Sequence, residues 1–201
     1  MSNPNVGMMY PVWAPLTAHT EGAMPTYGTG RVIQEARNAT VTRTYNDNPL
    51  YGDDRIVDND NGLTGLTMSF ESTGLSDEDR KVLLGEEDYG TSGVSGQWVS
   101  DNETPWGGFG YIRKMRLNGV KSYEAWWTLK IKFQEESMTT TTKEGSIQWN
   151  TPTLNGRAAG LYVDSSDKLR FQLHQTFDSI TAAKSFLNTF LNVSETPVIT
   201  T

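Results

Sequence analysis

Residues 109–134, FGYIRKMRLNGVKSYEAWWTLKIKFQ, decide the fold. Two β-prone runs flank Asn118-Gly119, and an Asn-Gly pair in that setting is the strongest short-range hairpin signal. In the second arm, Trp127, Leu129, Ile131 and Phe133 take one face, while Trp126, Thr128, Lys130 and Lys132 take the other. This period-two alternation predicts an antiparallel pair with an apolar face and a polar face. Arg113, Lys114, Arg116 and Lys121 extend the polar face into a basic strip. Such a strip is a nucleic-acid contact, a solvated sheet face, or a face that pairs with acids on a neighbour. The net charge of −7 argues against the first.

Towards the N-terminus, residues 63–71 alternate again, with Leu66, Met68 and Phe70 on one face and Thr67, Ser69 and Glu71 on the other. Thr40, Thr42 and Thr44 alternate with Ala39, Val41, Arg43 and Tyr45, which predicts a strand over 38–45. A further strand is expected over 31–35. Between these strands lies the acidic, Asn/Asp/Gly-rich stretch 46–62, which holds Asp47, Asp53, Asp54, Asp58 and Asp60 against a single Arg55. A loop of this length is uncommon inside a compact domain and is usually functional or disordered. Residues 1–30, with Pro11 and Pro15 around Val12-Trp13-Ala14, predict an extended arm ending in a short edge strand. Its Tyr10 and Trp13 are expected to pack on their own domain or on a neighbour.

Residues 75–85 switch to helical signals. Ser76 and Asp79 have capping-box spacing, Asp77, Glu78 and Asp79 suit a helix N-terminus, and Gly85 suits its end. The Gly-rich run 86–108 predicts loop, and its GGFG at 107–110 lacks the form of a phosphate-binding loop, so it is read as a strand start. After the hairpin come a Thr-rich stretch at 135–145 and a strand over 146–150. A turn is expected at 151–156, then a second hairpin over 157–163 and 167–174, with Leu169, Phe171 and Leu173 inward. Ile180, Ala183, Leu187, Phe190 and Leu191 recur at helical spacing, which predicts a small amphipathic helix over 179–191 and a loose tail beyond it.

The whole is expected to be mainly β and a single domain over residues 1–201. Two antiparallel sheets pack as a sandwich or partial barrel, with a short flanking helix, the acidic loop at 46–62 and the arm at 1–30. The apolar share is 36%, so six Trp, eight Tyr and seven Phe must supply much of the core. The acidity argues against a nucleic-acid reader but suits a wall past which DNA moves without sticking. There is no cysteine, hence no disulfide and no thiolate metal site. No apolar run approaches bilayer length, and the N-terminal residues lack signal-peptide character. The expected setting is therefore the cytoplasm, or an assembly carried out of it.

Specific chemistries find little support. A calcium loop starting at Asp58 would place Gly62 at its fifth position instead of its sixth, and Ser69 at its twelfth. The remaining readings of the loop are a looser cation site and a plain solvated loop. His19 and His174 have no metal-ligand spacing, and adjacent pairs such as Glu86/Glu87 and Glu135/Glu136 point apart. No cofactor and no enzyme activity is expected.

The order of motifs resembles the major tail tube proteins of long-tailed, non-contractile bacteriophages. The resemblance is carried by Tyr10-Pro11-Val12-Trp13-Ala14-Pro15-Leu16-Thr17 and by Leu50-Tyr51-Gly52-Asp53-Asp54. It is also carried by the helix at 75–85 and by Tyr123-Glu124-Ala125-Trp126-Trp127 running on to Lys132-Phe133. The last segment is Gln148-Trp149-Asn150-Thr151-Pro152-Thr153-Leu154-Asn155-Gly156. It spans about residues 8–175. The resemblance implies a tube fold similar to that of type VI secretion tubes, with sheets joining into a barrel in stacked, hexameric rings. Expected partners are further copies of the chain, the tape measure protein, tail terminator and tail tip proteins, and DNA passing through the lumen. The expected location is the virion, with synthesis in the host cytoplasm and no membrane. Asp47, Tyr51, Asp53, Asp54, Arg55, Asp58 and Asp60 would contact the next ring. Arg113, Lys114, Arg116, Lys121, Trp126, Thr128, Lys130 and Lys132 would belong to the ring-forming hairpin, and Tyr10 and Trp13 to the arm. The rival expectation is a β-sandwich carbohydrate-binding module using Trp98, Trp106 or Trp126 as stacking platforms.

Overall fold

In the computed structural model the described residues are 5–33, 36–91, 94–99, 103–117, 119–137 and 151–192. The first strands are β1 (Asn5–Ala18), β2 (Thr26–Tyr27), β3 (Arg31–Val32) and β4 (Ala36–Tyr45). Next come β5 (Asn48–Gly52), β6 (Arg55–Asp60), β7 (Leu63–Ser72) and helix α1 (Asp77–Leu84). Then follow β8 (Glu87–Thr91), β9 (Val94–Trp98), β10 (Gly107–Leu117) and β11 (Val120–Ser137). The chain ends in β12 (Thr153–Ala158), β13 (Leu161–Tyr162), β14 (Leu169–Arg170), β15 (Gln172–Phe177) and α2 (Ile180–Leu191). The expected Ser146–Asn150 strand, most of the Thr-rich stretch, Asn118 and the tail lie outside the described residues, as does the end of the strand expected at 31–35.

The protein is mainly β, as its alternation predicts. Nine strands form one antiparallel sheet with the order β2-β1-β10-β11-β12-β7-β4; β3 pairs β1 and β15 pairs β11. Strand β11 is long enough to serve two partners on one edge. Its residues 123–128 pair β15 and its residues 131–137 pair β12, while β10 lies along the other edge. The turn from β10 to β11 is two residues long, with Leu117 opposite Val120 and Gly119 at φ +86°.

The sheet curls into a partial barrel. Three strand spacings separate β7 from β10 in the sheet order, roughly 14 Å on a flat sheet. Yet the rings of Phe70 on β7 and Phe109 on β10 lie 5.1 Å apart. Phe133 stands 5.2 Å from Phe109 and 5.8 Å from Trp13, so one aromatic core fills the concave side. Leu66, Met68 and Phe70 all point into buried positions, as their spacing predicts.

Helix α1 closes this core with fully buried Leu83. Its capping box forms as predicted: Ser76 Oγ accepts from the Asp79 N–H at 3.2 Å, Asp79 accepts from the Ser76 N–H, and Gly85 ends the helix in the left-handed region. Helix α2 covers the opposite face with Ala183, Leu187 and Leu191, all buried, and its Phe190 stacks on Trp127 at 4.9 Å. Gly110 admits this helix. A Cβ there would meet the Trp127 ring at 2.6 Å and Leu187 at 2.9 Å.

Several expectations are revised. The N-terminal arm is no arm over the described residues. Residues of β1 pair β10 from Asn5 to Pro15, and Val12, Trp13 and Ala14 are wholly buried. The two prolines are accommodated as the edge argument requires: Pro11 lies in a bulge beside Tyr10 at φ +55°, and the cover on the outer side is only the short β2 and β3. The acidic loop is a β-hairpin, and so is part of the Gly-rich run, where β8 pairs β9. The expected turn at 151–156 gives way to β12 from Thr153, paired on both sides by β7 and β11. Phe171 faces inward but Leu169 is exposed.

Candidate functional site

The stretch between β4 and β7 forms the most unusual surface of the molecule. Strands β5 and β6 pair from Asn48↔Asp60 to Gly52↔Arg55, and the Asn46 N–H donates to the Gly62 carbonyl at 2.7 Å to close the base. The turn residues Asp53 and Asp54 sit at φ +50° and +58°. Positive φ at both central positions defines the turn whose twist matches a hairpin, and Asp tolerates it. Tyr51 stands opposite Ile56 and Leu50 opposite Asp58. Leu50, Tyr51, Ile56 and Val57 are between 57% and 66% exposed, so four large apolar side chains project on a ribbon with no core of its own. Of the other residues expected in this loop, Asp47, Asp53, Asp54, Arg55 and Asp58 are exposed, and Asp60 ends β6.

The basic strip does not exist as one surface. The β10–β11 hairpin, expected to form the ring, has both edges taken: β1 occupies one and β15 and β12 the other. Arg113 pairs with Glu124 at 2.9 Å and lies 5.4 Å from the Trp126 ring. Lys130 and Lys132 flank Trp106 at 4.8 and 5.1 Å. Thr128 is buried and accepts from Gln172 Nε2 at 2.9 Å, because β15 covers that part of β11. Lys114 is half-buried, and Arg116 and Lys121, opposite one another near the turn, are exposed. Of the two residues expected as arm contacts, Trp13 is fully buried. Tyr10 donates to Asn188 Oδ1 on α2 at 2.9 Å, and burial pushes its phenol above the usual tyrosine value.

A cleft of about 300 Å³ opens where β4, β7, β11, β14 and β15 converge. Its wall carries Arg43, Trp126, Arg170 and His174 over a floor that includes Leu63, Leu66 and Phe171. His174 stacks on Trp126 at 4.3 Å and pairs with Glu124 at 3.2 Å. Arg43 reaches Gln172 at 3.3 Å and lies 5.7 Å from the Trp126 ring. Arg170 is shared with Asp164 at 3.2 Å. Sequence reasoning singled out only Trp126 here, because the cleft is assembled from strands far apart in the chain. Among the described residues no cluster of three His, Asp or Glu side chains is placed to hold a metal ion, and no helix is long and apolar enough to cross a membrane. No protein-family model matches the chain, and no curated protein matches it.

Proposed function

We propose that the chain is a structural subunit that assembles with copies of itself into stacked rings, the tail tube of a long-tailed bacteriophage. The observation that carries the reading is the β5–β6 hairpin. A two-stranded ribbon alone is marginally stable, and this one exposes Leu50, Tyr51, Ile56 and Val57. Covering those side chains on a neighbour would contribute roughly 4–8 kcal/mol before the cost of ordering. The order of motifs along the chain supports the same reading.

The edge needed to continue the sheet into a neighbour falls to β4. It pairs only β7 among the described residues, and seven of its ten residues are exposed, Thr40, Thr42 and Thr44 among them. A long open edge is a hazard in a monomer, and closure into a ring removes it. The acidic balance of the chain suits a conduit that DNA must pass without adhering. Each ring that a carbohydrate-binding module would use already has a partner: Trp98 packs on Tyr89 at 4.7 Å, Trp106 has Lys130 and Lys132 over its ring, and Trp126 is stacked by His174. Electron microscopy of the concentrated protein tests the reading. Rings and hollow filaments are expected; a persistent monomer that binds immobilised glycans would favour the carbohydrate module.

A further inference from the structure

We propose that the cleft lined by Arg43, Arg170 and His174 is the receptor for the tip of the β5–β6 hairpin of a second copy of this chain. The inference rests on reading the hairpin as a contact between subunits, and adds where that contact lands. The two surfaces match in charge and in polarity. Asp53 and Asp54 form the exposed tip and make no ion pair with another described residue. Arg43 is exposed, with no carboxylate at ion-pair distance among the described residues, and Arg170 pairs with Asp164 and reaches Ser166, both outside the cleft lining. Behind the two acids, Tyr51 and Ile56 stand as an exposed cross-strand pair. Behind the arginines, Leu63 and Phe171 line the cleft, and Leu169 beside them is 46% exposed. An acidic turn backed by apolar side chains thus meets a basic rim backed by an apolar floor.

The occupant must come from another molecule. Arg43 precedes the hairpin by a few residues and Leu63 directly follows it, so the cleft adjoins the hairpin's base. Strands β5 and β6 are extended and paired along their length, which carries the tip about 17 Å away from that base. The tip cannot turn back without breaking its own ladder. Tip and cleft are different surfaces, so the contact is head-to-tail and propagates from copy to copy. The volume of about 300 Å³ lies at the lower end of ligand-sized clefts, suited to the side chains of a turn.

Charge reversal and cysteine cross-linking test this on the full chain. Asp53→Lys with Asp54→Lys, Arg43→Glu with Arg170→Glu, and all four together are compared with the unaltered protein by sedimentation velocity, with thermal melts of the dispersed chains as a check on folding. Each pair is expected to weaken assembly at least tenfold, and the fourfold variant to recover most of it. The chain has no native cysteine, so Asp54→Cys and Leu169→Cys chains, mixed and oxidised, should give a disulfide-linked dimer of the two. If Arg43→Glu/Arg170→Glu assembles like the unaltered chain, or no mixed dimer forms, the receptor assignment is overturned while the tube reading stands. If the unaltered chain stays monomeric, both fall.

Discussion

Arg31 Nε lies 3.2 Å from Asp79 Oδ1, and the Asp79 side chain is wholly buried. This ion pair ties β3 to the first turn of α1. The same carboxylate completes the capping box by accepting from the Ser76 N–H and hydroxyl at 3.3 and 2.7 Å. A carboxylate that was expected only as a helix cap therefore also anchors a distant segment.

Asp79→Ala should cost about 2–4 kcal/mol, because it strands a half-exposed arginine and frees the helix N-terminus. The melting temperature of the dispersed chain should fall by roughly 5–15 °C. Glu78→Ala, at a mostly exposed partner of the same arginine, should change stability by less than about 1 kcal/mol. Thermal unfolding of the two variants side by side distinguishes the roles.

Tyr27 donates to the Leu129 carbonyl at 2.7 Å and accepts from Trp127 Nε1 at 3.1 Å. Tyr27→Phe leaves both buried groups without that partner, and should cost about 1–3 kcal/mol by denaturant unfolding.

Burial pushes the phenols of Tyr10, Tyr27 and Tyr111 above the usual tyrosine value, most of all Tyr27. A folded-state value raised above the unfolded one means stability is fully present below about pH 10 and is lost as pH rises beyond it. Ultraviolet titration should show these phenolates forming late, together with unfolding. Tyr27→Phe should reduce the steepness of the loss.

Tyr51→Ser with Ile56→Ser should leave the dispersed chain within about 0.5 kcal/mol of the original, since neither side chain is buried. The same variant should lose assembly. Unfolding and sedimentation on one preparation check both halves of the statement.

The sequence made the centre of the molecule legible because there the local signals agree. The hairpin that turns at Gly119, the alternation in β7 and the Ser76–Asp79 box each name one conformation and are found in it. The single apolar face expected on β11 is not: a register shift opposite β10 sends Trp127 and Leu129 to the core under α2 and Ile131 and Phe133 to the other core, and Thr128 is buried. The β5–β6 hairpin was hidden because its turn is Asp53-Asp54. Asp pairs in an Asn-rich run read as loop, although Asp can take the left-handed region. Strand β1 was obscured by Pro11 and Pro15, which local rules assign to edges and which a bulge accommodates. The cleft was illegible for another reason. Arg43, Trp126 and His174 come together only through strand pairing across most of the chain, which no local pattern encodes.

Hydrogen exchange of the β5 and β6 amides, in dispersed and assembled protein, tests most directly whether the hairpin is an arm between subunits. A lone ribbon opens readily, so fast exchange is expected in the dispersed chain and at least tenfold slower exchange after assembly. Equal protection in the two states would contradict it.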